Sequence, residues 1–196
     1  ASGVDKQKKY ATLKDIKLAS IPITKDSISN VKMVDTITLD KRGNLLLQRA
    51  HKNLLRFIRK EPLGTEAIAY YDLGMNMIVR NVGQMFCVDS QNITTPHIIM
   101  HNHPSGYMLT DTDIISFLKD TNGFVLSAVG NDGSIYVLEK TASLDLTGFV
   151  NSIAKVRSNN PQYMSAPEFY IEYMNEILKG AGSYGFNYIE SRVKGT

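Results

Sequence analysis

The chain has 196 residues, 43% of them hydrophobic and 21% charged, and its 22 Lys and Arg against 19 Asp and Glu leave a net charge of +3. This is an ordinary globular composition, with room for one core of typical size plus appendages and no internal repeat or long low-complexity tract. The charge is too mild to argue for nucleic acid, and the one dense basic run, Lys6 to Lys9, reads as a solvated N-terminal segment. Nucleic acid is neither supported nor excluded as a partner, and tight duplex or single-strand binding at physiological salt is not expected. The single Cys87 rules out an intramolecular disulfide and reads, within Met85-Phe86-Cys87-Val88, as a small buried hydrophobe. With no apolar run near the roughly 18 residues of a membrane span and no signal-peptide core, the expected setting is the cytoplasm.

Residues 1–41 are polar with short apolar pieces and read as an N-terminal extension, a partly ordered arm. Asn44 to Lys60 has the pattern of an amphipathic helix: Leu46, Leu47, Ala50, Leu54, Phe57 and Ile58 share one face, Arg49, Lys52 and Arg59 the other. Gly43 precedes it and Pro62 follows it. Four strands are predicted next, Glu66 to Asp72, Met75 to Val82, Met85 to Asp89 and His97 to His101, with turns at Leu73-Gly74 and Gly83. A short helix from Asp111 to Lys119 leads into a hairpin, Gly123 to Val129 and Ser134 to Leu138, connected by Gly130-Asn-Asp-Gly133. Residues 142–196 read as a C-terminal helical extension. In it Ser165-Ala-Pro-Glu168 has the form of a capping box, the helix runs to Lys179, Gly180 ends it, and Gly180 to Gly185 is expected to be flexible. The apolar face of that helix, Phe169 to Leu178, is expected to dock on its own domain.

The residues that carry chemistry lie between these elements. His101 and His103 are two apart at the end of the apolar run that starts at His97, so on an extended backbone they project to the same side. Pro104 ends the strand. Asp113, just inside the next helix, can bring a carboxylate back to the two imidazoles. Three nitrogen and oxygen ligands with one open position describe a catalytic zinc site; a structural site more often shows four ligands, usually with cysteine.

His101-Asn102-His103-Pro104-Ser105-Gly106 followed by Thr110-x-x-Asp113 resembles the signature of the JAB/MPN (JAMM) metalloproteases, and the H-N-H-P-S-G wording is similar to their RadC-like bacterial branch. The resemblance implies an α/β (α+β) fold, a mixed β-sheet flanked by helices, with a cytidine-deaminase-like core over residues 42–141. It implies that His101, His103 and Asp113 ligate zinc, with water at the fourth position. Thr110 stands where the family has a serine whose hydroxyl helps hold the oxyanion of the tetrahedral intermediate. The family also has an upstream glutamate on a first strand before a hairpin. Glu66 opens such a strand, whereas its rival Glu61 sits between Lys60 and Pro62 at a helix end. Glu66 would take a proton from the attacking water and donate it to the leaving amine.

Two departures from the family pattern stand out. The loop from His103 to Asp113 is one residue short, which makes Asp111 the fallback ligand. Ser90 to Pro96 is also too short for the helix that normally precedes the metal strand. The implied activity is zinc-dependent cleavage of peptide or isopeptide bonds in a peptide or protein substrate. The alternatives are a RadC-like role in nucleic-acid metabolism and a non-catalytic interaction module.

Overall fold

The computed structural model describes residues 19–85 and 92–194. The architecture is α+β, a six-stranded mixed sheet flanked by helices. In chain order the elements are α1 (Lys25–Asn30), α2 (Lys41–Ile58), β1 (Thr65–Asp72), β2 (Met77–Met85), β3 (His97–His103), α3 (Asp111–Lys119), β4 (Gly123–Gly130), β5 (Ile135–Lys140), α4 (Leu146–Asn159), α5 (Pro167–Gly180) and β6 (Phe186–Ser191). The sheet order is β2-β1-β3-β4-β5-β6, and only β3 and β4 run parallel. A parallel pair needs a crossover, and α3 supplies it. No helix among the described residues is long and apolar enough to cross a membrane.

The period-two alternation of the central strands divides the core in two. Ile68, Tyr70, Ile99, Leu126, Ala128, Tyr136 and Leu138 face α3, α4 and α5, which contribute Ile114, Phe117, Phe149, Tyr173 and Ile177. Ala67, Ala69, Tyr71, Ile98, Met100, Val125 and Val137 face α2 through Leu47, Leu54, Leu55 and Ile58. The helix expected to dock on its own domain, α5, therefore does so.

Of the arm expected to be partly ordered, residues 19–39 are packed, with Ile28, Val31, Val34 and Leu39 buried in the second core; residues 1–18 lie outside the described residues. Buried Glu139 of β5 holds this segment by accepting from the backbone N–H of Ile37 at 3.0 Å and of Thr38 at 2.9 Å. Helix α2 begins at Lys41 and ends at Ile58, because Asp40 caps it by accepting from Gly43 N–H at 2.7 Å. Gly83 marks no turn, since β2 runs through it. Thr65 pairs with Met85 and Ala67 with Val82, so Gly83 and Gln84 lie opposite the single Glu66 in a β-bulge. The rest of the expected strand to Asp89 lies outside the described residues.

The C-terminal segment is not wholly helical either. A 3-10 turn, Ala181–Tyr184, and a left-handed Gly185 lead into β6, which pairs with β5. A Cβ on Gly185 would sit 2.2 Å from the Ser143 carbonyl oxygen, so only glycine fits. The expected capping box is absent as well: Ala166 is the N-cap of α5, and the Ser165 hydroxyl donates to Gln162 O at 2.6 Å instead.

Between α2 and the sheet lies a buried polar contact, the 2.5 Å hydrogen bond between His51 Nε2 and Ser127 Oγ, while His51 Nδ1 has no partner. Burial pushes the pKa of His51 down to about 3. In the unfolded chain the ring takes a proton near its ordinary value of about 6.5. Between these values the unfolded state binds a proton that the folded state refuses, so stability present above pH 6.5 is lost progressively toward pH 3. We expect the wild type to lose about 2–3 kcal/mol relative to His51→Gln between pH 6.5 and 4.5. Urea denaturation of both proteins across that range checks this, and parallel pH profiles would refute it.

Candidate metal centre

β3 is buried at all seven positions, and alternation sends His101 and His103 to the α3 side and Asn102 to the α2 side. Asn102 was not singled out from the sequence, yet it fixes the register at this end of the sheet. Its Oδ1 accepts from Ala67 N–H at 2.7 Å, and its Nδ2 donates to Thr65 O and to Asn131 Oδ1, both at 3.1 Å. The β1–β3 ladder pairs Ile68 with His101, and carried two residues further it sets Glu66 opposite His103 on the same face. Its signal was the motif itself: a polar residue between two ligands on a buried strand must face the other way and find partners there.

The turn after His103 is equally constrained. The His103 carbonyl accepts from Gly106 N–H and Asn131 N–H, both at 3.0 Å, and the Pro104 carbonyl accepts from Ile21 N–H at 2.8 Å. Gly106 has φ +76°, and a Cβ there would lie 2.9 Å from the Asp132 carboxyl carbon. The Tyr136 hydroxyl donates to Gly106 O at 2.8 Å.

The chain then returns through the N-terminus of α3. Thr110 is its N-cap, and the cap is reciprocal: Thr110 Oγ1 accepts from Asp113 N–H at 3.1 Å, and Thr110 N–H donates to Asp113 Oδ2 at 3.0 Å. That same Oδ2 lies 3.1 Å from His103 Nε2 and 3.4 Å from His101 Nε2, and the two Nε2 atoms are 2.7 Å apart. Asp111, the fallback ligand, points elsewhere. Its carboxylate accepts from the Tyr170 hydroxyl at 2.9 Å and the Tyr173 hydroxyl at 3.2 Å, and Arg157 stands 3.8 Å away. Glu61 is exposed in the turn after α2, off the strand that carries Glu66.

His101, His103 and Asp113 each offer one ligand atom, all within 4.8 Å of one another, and can hold a metal ion. Ligands about 2.0–2.1 Å from a tetrahedral zinc lie roughly 3.3 Å apart; the two separations to Asp113, 3.1 and 3.4 Å, match this, and the two imidazole nitrogens at 2.7 Å would have to move apart. Outer contacts fit as well. His103 Nδ1 lies 2.8 Å from Tyr107 O, which can only accept, so that nitrogen keeps its proton and Nε2 is the atom that can give up its own proton to a metal.

The electrostatics favour a cation at this point. Burial works against a charge on His103, but the hydrogen bond and charge of Asp113, the charge of Glu66 and the Tyr107 carbonyl outweigh it and hold the ring up at about 9. Burial raises the Asp113 carboxyl, yet the two imidazoles overcome it and keep the group well below the usual carboxylate range. Burial raises Glu66, with the Asp113 charge adding to it and both imidazoles opposing.

One zinc per chain is expected after loading and desalting. His101→Ala, His103→Ala and Asp113→Ala should each lose most of it while staying folded, whereas Asp111→Asn should keep it. Elemental analysis with circular dichroism decides the matter; undiminished zinc in a folded His101→Ala/His103→Ala protein would remove the site.

Comparison of the chain with models of protein families, with curated proteins and with solved structures found no match.

Proposed function

We propose that the chain is a zinc-dependent hydrolase of JAB/MPN type that cleaves peptide or isopeptide bonds with an activated water. The observation that carries this reading is the convergence of His101, His103 and Asp113, with Glu66 across the strand pair on the same face. Zinc in such a site polarises a carbonyl and lowers the pKa of water toward about 7. His101, His103 and Asp113 would hold it, and the Tyr107 carbonyl and Thr110 N–H orient two of these ligands.

Glu66 lies outside the ligand triad, which leaves its carboxylate to move a proton. It accepts one from the water as the new C–O bond forms, then delivers it to the amine nitrogen as the C–N bond breaks. The Thr110 hydroxyl oxygen already accepts from Asp113 N–H, so its own hydrogen is what it can offer to the oxygen that gains charge. A substrate backbone can extend along β2, the sheet edge next to the Glu66 strand among the described residues, where Met77, Ile78 and Val82 are exposed. The convergence of three candidate ligands weakens the reading of a purely non-catalytic module, because such modules usually lack them.

Glu66→Gln should keep its zinc and lose cleavage of a peptide or isopeptide library by about 10²-fold or more, because the amide cannot accept the proton. Zinc content and turnover measured on the same preparation test this. Wild-type turnover in Glu66→Gln would show that another group is the base, and loss of both properties would make Glu66 a ligand.

A further inference from the structure

The sheet face opposite the metal centre is covered by α2, whose sequence Lys-Arg-Gly-Asn-Leu-Leu-Leu-Gln-Arg-Ala-His-Lys-Asn-Leu-Leu-Arg-Phe-Ile contains no carboxylate. At 100° per residue its buried side chains, Asn44, Leu47, Ala50, His51, Leu54, Leu55 and Ile58, centre on one direction. Lys41, Arg42, Arg49, Lys52, Arg56 and the C-cap Arg59 all fall within about 100° on the opposite side. All but the half-buried Lys52 are exposed. Arg80 of β2 adds a further cation beside the stripe, its guanidinium 3.6 Å from the centre of the Phe57 ring.

Among the described residues, every ion pair involves other elements, so none of these cations is neutralised by a partner. The neighbouring acids sit at the two ends of the helix: Asp40 is engaged as the N-cap, and Glu61 follows the last turn. The stripe is invisible to a net charge of +3, which sums over the whole chain, and to a search for consecutive lysines, because beyond the adjacent Lys41 and Arg42 these cations are three, four or seven residues apart.

We propose that this face of α2 is a docking surface for a nucleic-acid duplex, held by its phosphate backbone without sequence preference. Six like charges along about 27 Å of rigid helix match a continuous line of phosphates and have no counterpart in a protein partner unless that partner is itself polyanionic. No exposed aromatic interrupts the stripe to stack an unpaired base, which favours a duplex over a single strand. The surface and the metal centre lie on opposite faces of the sheet, so a bound duplex localises the protein and leaves the zinc site open. The inference is independent of the hydrolase reading.

The test is fluorescence anisotropy with labelled DNA and RNA duplexes of about 20 base pairs, over about 50 to 200 mM salt. Six contacts give a slope of about −5 in log affinity against log salt. Arg49→Gln/Lys52→Gln/Arg56→Gln should bind at least tenfold more weakly, with the slope reduced by nearly 3. Lys119→Gln/Lys155→Gln/Lys179→Gln, which removes the same charge from the opposite face, should bind within about twofold of wild type. The single reversal Arg49→Glu, at an exposed position, gives a second reading if the triple variant melts early. Binding of either duplex in this pattern supports the proposal and identifies the source of the phosphates. No binding by wild type, equal binding by the stripe variant, or binding of phosphatidylserine vesicles but neither duplex would overturn it.

Discussion

The candidate centre depends on one carboxylate oxygen. Asp113 Oδ2 is held by the Thr110 N–H of the helix cap and faces both imidazoles. A carboxylate at a helix N-terminus is stabilised by the free amides and by the dipole, so its position is fixed by the folding of α3 before anything binds. That fixation matters because a ligand that must be ordered on binding weakens the site by the entropy of ordering it. His103 is restrained in the same way by Tyr107 O, and the strand that carries both histidines is the third of six, with neighbours on either side. A crossover between two parallel strands is thus also what delivers the third ligand.

The legible parts of the fold were those in which one local pattern decides the outcome. The alternation of His97 to His103 and the Thr110-x-x-Asp113 spacing brought His101, His103 and Asp113 to one point, where they do converge, and the period of Leu47, Leu54 and Ile58 placed α2. What stayed hidden was settled by partners far along the chain. The segment before α2 is ordered because Glu139, about a hundred residues later, accepts its amides. The six-residue strand β6 is fixed by the edge that β5 offers it; Phe186, Tyr188 and Ile189 favour a strand, but six residues after a helix are too short a signal to decide it alone. Gly83 reads as a turn in the sequence and is a bulge in the sheet, because the choice depends on whether β1 continues alongside it. The spacing favoured Asp113 and left Asp111 as a fallback; the hydroxyls of Tyr170 and Tyr173, which turn Asp111 away, were not legible.

The sheet also separates two chemical environments. On the α3 side, buried titratable groups converge on a point that favours positive charge. On the α2 side, the interior is apolar apart from a few polar contacts, among them His51 with its unpartnered Nδ1, and the helix carries its cations on its outer surface. Side-chain alternation alone maintains this separation along β3, since moving the register by one residue would exchange Asn102 with the histidines.

The contact of Asp111 with Tyr170 and Tyr173 has a further consequence. Burial and the Asp111 charge push both phenols up, so they remain donors to a carboxylate about sixty residues earlier in the chain. That carboxylate opens the same helical turn that presents Asp113. A minimal fragment ending after β5 would retain all three candidate ligands, yet it would lose both hydroxyls that hold Asp111 and strip α4 and α5 from the apolar sheet face beside it. The motif is therefore not a portable cassette. Transplanting the metal centre into another scaffold, or reducing this chain to its central strands, would require carrying the two tyrosines along or redesigning the first turn of α3 around a neutral residue.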